Sequence, residues 1–351
     1  MKVLFRTDAS IRLGSGHLMR CMTLAQKLRT KGCQIAFVCR DLPDNLQLLL
    51  EQEEYSLWTL SAESWSASRG WQDDAAGTVR YIKQGGTRAD WIVVDQYDLD
   101  ARWEMLLREH ADKIMVIDDL ADREHECDLL LDQNLHDGSP YRERVPTGTD
   151  VLMGPQYALL RDEFRQARDR VEPRTGVVRR MVICFGSTDP TGETSKALAA
   201  VGQLNLRLID IDVIVGASNP QAREIAKMCA GVPYLHFHVQ VSDMANFLAR
   251  ADLALGGAGV STWERLALGV PSLVVAVADN QAENMRQLQR LGLAKQLGMS
   301  NEVSVSDIAG GIQGMLSSPN ELKDMSQRAY NFVDGKGTSR VVNRLMMVVK
   351  A

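Results

Sequence analysis

Short apolar runs of strand length recur along the chain, each followed by a polar turn and then by a stretch whose Leu and Ala spacing is helical. Val3-Leu4-Phe5 runs through Arg6-Thr7-Asp8 to Gly14-Ser15-Gly16-His17, and Thr23 to Leu28 then carries the helical signal. The strand signal returns at Gln34 to Cys39, Trp91 to Asp95, Ile114 to Asp118 and Leu129 to Asp132. Helical stretches hold Leu46 to Leu50 and Trp103, Met105, Leu106 and Leu107. Runs that are apolar on both faces suit a parallel sheet covered by helices on each side. Val151 to Pro155 and Tyr157 to Leu160 read as the end of this first half.

Between Arg161 and Arg180 the composition turns to Arg, Asp, Glu, Gln and Pro173, a boundary signal. The rhythm then restarts. Met181 to Phe185 feeds Gly186-Ser187-Thr188-Asp189, and Ile211 to Val215, Tyr234 to Phe237, Leu253 to Leu255 and Leu273 to Val277 follow as strands. The expected fold is α/β, two doubly wound Rossmann-like domains facing a cleft. The expected boundaries are residues 1–165 for the first domain, 166–179 for a linker, 180–337 for the second domain and 338–351 for a closing helix. That helix carries an apolar stripe of Val341, Val342, Leu345, Met346 and Val349.

Composition narrows the partners. A 351-residue chain with 45% hydrophobic residues can bury more than one core. A net charge of -5, with no Lys/Arg block beside aromatic residues, leaves nucleic acid without an electrostatic footprint. No apolar stretch approaches the roughly 20 residues that span a bilayer, so neither a membrane nor export is expected and the protein is predicted to be cytoplasmic. The six cysteines form no Cys-x-x-Cys pair and are expected to be reduced.

Candidate chemistry gathers where strands meet loops. Asp8, Asp95 and Asp118 end strands at the carboxyl edge, where doubly wound sheets bind ligands. Asp118 and Asp119 serve equally well as helix caps. Gly14 and Gly16 give the backbone positive φ and close approach, and His17 opens the next helix. The second half has its counterpart in Gly256-Gly257-Ala258-Gly259, with Ser261 and Thr262 at a helix start, an anion site of backbone N–H groups that suits a diphosphate. Glu264 could accept two ribose hydroxyls. Asp279, Asn280, Gln281 and Asn284 follow the next strand, as caps or as ligand contacts. Asp122, Glu124, His125, Glu126, Cys127 and Asp128 match no zinc or calcium spacing, and His236 with His238 lacks a third ligand, so no metal is called.

Together these residues carry a family resemblance. Arg6-Thr7-Asp8, Gly14-x-Gly16-His17-x-x-Arg20-Cys21, Val94-Asp95-x-Tyr97, Ile117-Asp118-Asp119-Leu120 and Gly256-Gly257-Ala258-Gly259 resemble the UDP-sugar hydrolase family of pseudaminic acid biosynthesis. That family is similar in fold to the two-domain B-type glycosyltransferases, in which a closing helix crosses back to the first domain. The resemblance implies cleavage of UDP-2,4-diacetamido-2,4,6-trideoxy-β-L-altropyranose with no metal and no cofactor. It implies His17 as the catalytic base, with Arg6, Asp8, Gly14, Gly16, Arg20, Asp95 and Tyr97 as substrate-binding residues of the first half. Gly257, Ala258, Gly259, Glu264, Asn280, Gln281 and Asn284 would bind substrate in the second.

Elementary chemistry agrees with that expectation. UDP is a good leaving group, so the protonating carboxylic acid of ordinary glycosidases is dispensable. A grip on the diphosphate and a base-activated water on the far face suffice, with inversion at the anomeric carbon. An imidazole can take the water's proton at neutral pH, and Asp8 is the expected group to orient it or to hold the sugar. A B-type glycosyltransferase or a catalytically silent nucleotide-sugar-binding protein would need the same UDP cradle.

Overall fold

A computed structural model describes residues 1–9, 14–40, 42–60, 70–86 and 88–348. The chain divides into two compact units, residues 1–159 with 337–351, and residues 160–336. Val349, the last position of the predicted stripe, lies outside the described residues.

In the first unit the strands are β1 (Lys2–Thr7), β2 (Gln34–Cys39), β3 (Ser56–Thr59), β4 (Ala89–Asp95), β5 (Ala111–Ile117), β6 (Leu129–Asp132) and β7 (Asp150–Met153). They form one parallel sheet in the order β3-β2-β1-β4-β5-β6-β7. Alternation along each strand supplies both faces: Phe5, Trp91, Val93, Met115 and Leu129 enter one core, while Leu4, Ile92, Val94, Ile114 and Leu130 enter the other. This is why the strands read as continuous apolar runs. Sequence order reverses between β1 and β4, which opens a crevice at their carboxyl ends.

The second unit repeats the plan with β8 (Arg180–Cys184), β9 (Asp210–Val215), β10 (Leu235–Val239), β11 (Leu253–Gly257), β12 (Ser272–Ala276) and β13 (Lys295–Met299). Their order is β10-β9-β8-β11-β12-β13, again parallel, and the reversal falls between β8 and β11. The two expected parallel α/β domains are therefore present. Two strands carry no run in the sequence. β3 is a four-residue edge strand, and β13, Lys-Gln-Leu-Gly-Met, has its register broken opposite Val274 and Val275.

The polar segment after residue 160 belongs to the second unit. Arg168 donates to the carbonyls of Ala267 and Tyr330 and lies over the Tyr330 ring. Arg174 donates to the carbonyls of Leu248, Ala251, Leu268 and Gly269, so this stretch is tied down by backbone acceptors. The helix Gly337–Val348 returns to the first unit and packs on the helix Gly16–Arg29, burying Val341, Val342 and Leu345. Among the described residues no helix is long and apolar enough to cross a membrane.

Because Leu345 is fully buried beside the helix that carries His17, Leu345→Ala should cost about 2–5 kcal/mol in the first unit. Hydrogen exchange would check this: protection over Gly16–Arg29 should fall, while that over β11 and β12 stays unchanged.

Candidate functional site

The first switch point is organised around one buried carboxylate. Asp95 ends β4 with 1% of its surface exposed. Its Oδ1 lies 2.5 Å from His17 Nδ1 and 2.6 Å from Arg20 Nη2, and its Oδ2 lies 2.6 Å from Arg20 Nε and 3.5 Å from Cys21 Sγ. His17, Arg20 and Cys21 share one face of the helix Gly16–Arg29 because residues three and four apart are neighbours there. Burial opposes the charge on Asp95, but the Arg20 guanidinium and then His17 outweigh it and hold the carboxyl below the usual range.

This geometry sets the tautomer of His17. An ionised carboxylate at 2.5 Å calls for a proton on Nδ1, a closer contact than the 3.1 Å approach of Arg20 Nη2 to the same atom, and this leaves the lone pair on Nε2. Tyr97 meets the imidazole edge-on, with ring centroids 4.6 Å apart, and Arg20 Nη1 reaches Asp119 at 3.0 Å. Gly14 has φ +74°, a left-handed conformation that suits glycine; Gly16, already in the helix, does not take the positive φ expected of it, and no described atom outside the helix's own backbone lies within 4 Å of where a Cβ there would stand.

Arg6 and Asp8 occupy a separate cluster beneath. Arg6 is fully buried and forks to Asp8, with Nη1–Oδ1 at 2.7 Å, and to Asp74, with Nη2–Oδ2 at 2.6 Å. Asp74 also accepts from Arg40 Nη2 and Trp103 Nε1, and Asp8 from the Arg40 amide and Gln96. The expectation that Asp8 orients His17 is thus corrected. The carboxylate against the ring is Asp95, at the end of β4, because Asp8 is held by Arg6, the Arg40 amide and Gln96.

Further along the same edge lies a network that the sequence did not reveal. Tyr141 Oη is 2.9 Å from both Asp118 Oδ2 and Asp132 Oδ2, and His136 Nε2 is 2.5 Å from Asp132 Oδ2. Asp118 also accepts from the amide of Ala121 and pairs with Arg123. His125 is spent on Glu104, with Nδ1–Oε1 at 2.7 Å, while His236 and His238 pair with Asp210 and Asp212 on the neighbouring strand. The four-residue spacing of Asp132 and His136 was the available signal.

At the second switch point, β8 leads to a loop where Asp189 caps the helix Glu193–Gly202 through the amides of Glu193 and Thr194. β11 leads into the Gly256 to Gly259 turn. Asn284 Nδ2 donates to the Ala258 carbonyl at 2.8 Å, the Val277 amide donates to Gln281 Oε1, and a Cβ on Gly259 would stand 3.1 Å from Gln281 Nε2. Gln281 and Asn284 therefore buttress the turn, and Asn280 stands beside Gln281 in the short turn Asp279–Gln281. Among the described residues the amides of Gly259, Val260 and Ser261 donate to no protein group. Glu264 has its Oε1 3.8 Å from Arg161 Nη2. Burial pushes its carboxyl up to about 7, aided by Glu163 and opposed by Arg161 and Arg265.

Comparison with known proteins follows the same lines. Residues 183–341 match the glycosyltransferase family 28 C-terminal domain. Over 295 residues the chain is 25% identical to the UDP-2,4-diacetamido-2,4,6-trideoxy-β-L-altropyranose hydrolase of Campylobacter jejuni, covering 83% of this chain and 97% of that protein. The resemblance carried by the motifs thus extends over most of the chain. The chain is also 22% identical over 336 residues to the spore coat polysaccharide biosynthesis protein SpsG of Bacillus subtilis, covering 95% of this chain and 94% of that one. In fold it is similar to MurG of Acinetobacter baumannii, with a TM-score of 0.67, 17% identity and coverage of 99% and 100% of the two chains. It is likewise similar to the UDP-GlcNAc 2-epimerase of Neisseria meningitidis, with a TM-score of 0.66, 12% identity and coverage of 99% and 100%. The fold is that of the B-type glycosyltransferases.

Glu264 makes the second unit pH-sensitive. The folded form keeps its proton up to about pH 7, whereas an unfolded Glu loses it near 4.3, so this residue's contribution to stability is present below that value and declines as pH rises toward 7. Glu264→Gln should therefore raise the melting temperature at pH 8 and change it little at pH 4.5, as a paired set of thermal scans would show.

Proposed function

We propose that the protein hydrolyses the anomeric C–O bond of UDP-2,4-diacetamido-2,4,6-trideoxy-β-L-altropyranose, releasing UDP and the free sugar with inversion, as a step of pseudaminic acid biosynthesis. The observation that carries the reading is the 2.5 Å contact between His17 Nδ1 and Asp95, which leaves Nε2 as a general base. Support for the substrate comes from the likeness to the Campylobacter jejuni hydrolase and from the glycosyltransferase family 28 match over the second unit.

In this mechanism His17 Nε2 takes a proton from a water as the water's oxygen attacks the anomeric carbon. The C–O bond to the β-phosphate breaks on the opposite face, and UDP leaves with the bonding electrons. Asp95 keeps Nδ1–H in place and stabilises the imidazolium that forms, much as a buried carboxylate does in hydrolytic triads. Arg20 and Asp119 fix Asp95 from behind, while Arg6 and Asp8 brace the loop after β1. Tyr97, Gly14 and Gly16 shape the ground beside His17 for the sugar. In the second unit the Gly257, Ala258 and Gly259 turn receives the diphosphate, Glu264 the ribose hydroxyls, Gln281 and Asn284 hold the turn in shape, and Asn280 beside them contacts the substrate. No step in this scheme calls for a metal.

A second reading, a B-type glycosyltransferase, is favoured by the family 28 match and uses the same UDP grip. The two differ in whether water or a second sugar takes the anomeric carbon.

Under the hydrolase reading, His17→Ala and His17→Asn should each lower UDP release by about two to four orders of magnitude, with UDP affinity retained. Asp95→Asn should depress kcat with little change in KM. Near-normal turnover in both folded His17 variants would overturn the assignment, and UDP release only on adding an acceptor would favour the transferase.

A further inference from the structure

Beneath the Gly256 to Gly259 turn lies a guanidinium that the mechanism above does not use. Arg265 is 4% exposed. Its Nη2 donates to the Gly257 carbonyl at 2.6 Å and to Thr262 Oγ1 at 3.0 Å, and its Nη1 to Ser261 Oγ at 3.2 Å. Its Nε is buried with no partner. Among the described residues no carboxylate forms an ion pair with it; its neighbour Glu264 acts on it through space, opposing the effect of burial, and has its ion-pair contact with Arg161.

Room is made for this cation. A Cβ on Gly256 would stand 2.8 Å from Nη1 and 2.5 Å from the Cys184 carbonyl, so a side chain there would displace the guanidinium. Burying a charge without a directly paired counter-ion is costly, and burial, only partly offset by Cys184 and Glu264, pulls this guanidinium down to about 10. Packing alone would be met by an apolar side chain of similar volume. What an arginine adds here is a positive charge just under a turn whose outer amides are unspent.

We propose that Arg265 is the fixed counter-charge for the diphosphate, a positioning residue that acts on the ligand through the turn and through the field of its buried charge without touching it. This rests on the reading of the Gly257 to Gly259 turn as the UDP site. The charge of the ligand completes a pair that the protein leaves open. Preference for a nucleoside diphosphate over a monophosphate, and for a monophosphate over a nucleoside, then follows from a charge already in place.

Binding of UDP, UMP and uridine to the intact chain by calorimetry tests this with two variants. Arg265→Gln keeps a donor for the Gly257 carbonyl and loses the charge, while Arg265→Lys keeps the charge and loses the fork. The glutamine variant should lose about tenfold in UDP affinity, less for UMP and nothing for uridine, as the interaction scales with ligand charge. The lysine variant should hold the ranking of the three ligands. Equal losses across all three ligands in both variants would reduce Arg265 to a prop for the turn and overturn the proposal, as would unchanged UDP affinity in Arg265→Gln. Should the glutamine variant fail to fold, the lysine variant decides: a retained UDP-over-uridine ratio supports the counter-charge, and a uniform loss overturns it. Failure of the wild-type chain to bind UDP would sink the site reading itself, a separate outcome.

Discussion

A buried carboxylate must be satisfied on every lone pair or it destabilises the fold around it, and Asp95 sets that condition for the first unit. Its four donors come from one helix face, through His17, Arg20 and Cys21. That requirement fixes the rotation of the helix about its axis and its distance from β4. The left-handed Gly14 and the closing helix that buries Leu345 against the same helix both serve that placement. An imidazole held from Nδ1 has one nitrogen left for another partner.

How much of this was legible follows from what each signal depends on. The central strands showed in the sequence because parallel strands covered on both sides must be apolar at every position, as in Trp91-Ile92-Val93-Val94. β3 and β13 did not, because edge strands need fewer apolar residues and β13 carries Gly298 at φ +138°. His17, Asp95, Arg20 and the glycine turns stood out as residue types at strand ends. The pairing of Asp95, and not Asp8, with His17 did not, because it depends on β1 lying next to β4, a neighbourhood that strand order decides and local sequence does not.

Burial was the other hidden variable. Arg6 looks like a ligand-facing cation from its place at a strand end, yet it is fully enclosed between Asp8 and Asp74, and the second of those lies 68 residues away along the chain. Arg265 drew no reading from the sequence, and only the geometry places its guanidinium against the Gly257 carbonyl. Tyr141 and His136 sit in a loop of unremarkable composition, and their meaning comes from two carboxylates brought by separate strands. In each case the chemistry belongs to a contact between distant segments.

The two switch points share a topology and differ in how charge is balanced. In the first, Arg20 is answered by Asp95 and Asp119, and His17 by Asp95, so its charges are settled within the protein. In the second, among the described residues, Arg265 has hydrogen-bond acceptors but no carboxylate in an ion pair with it, and the outer amides of the turn donate to no protein group. A turn left positive in this way is suited to an anion. The same doubly wound plan, repeated, thereby balances its buried charges within the protein at one switch point and, among the described residues, leaves a guanidinium without a carboxylate ion pair at the other.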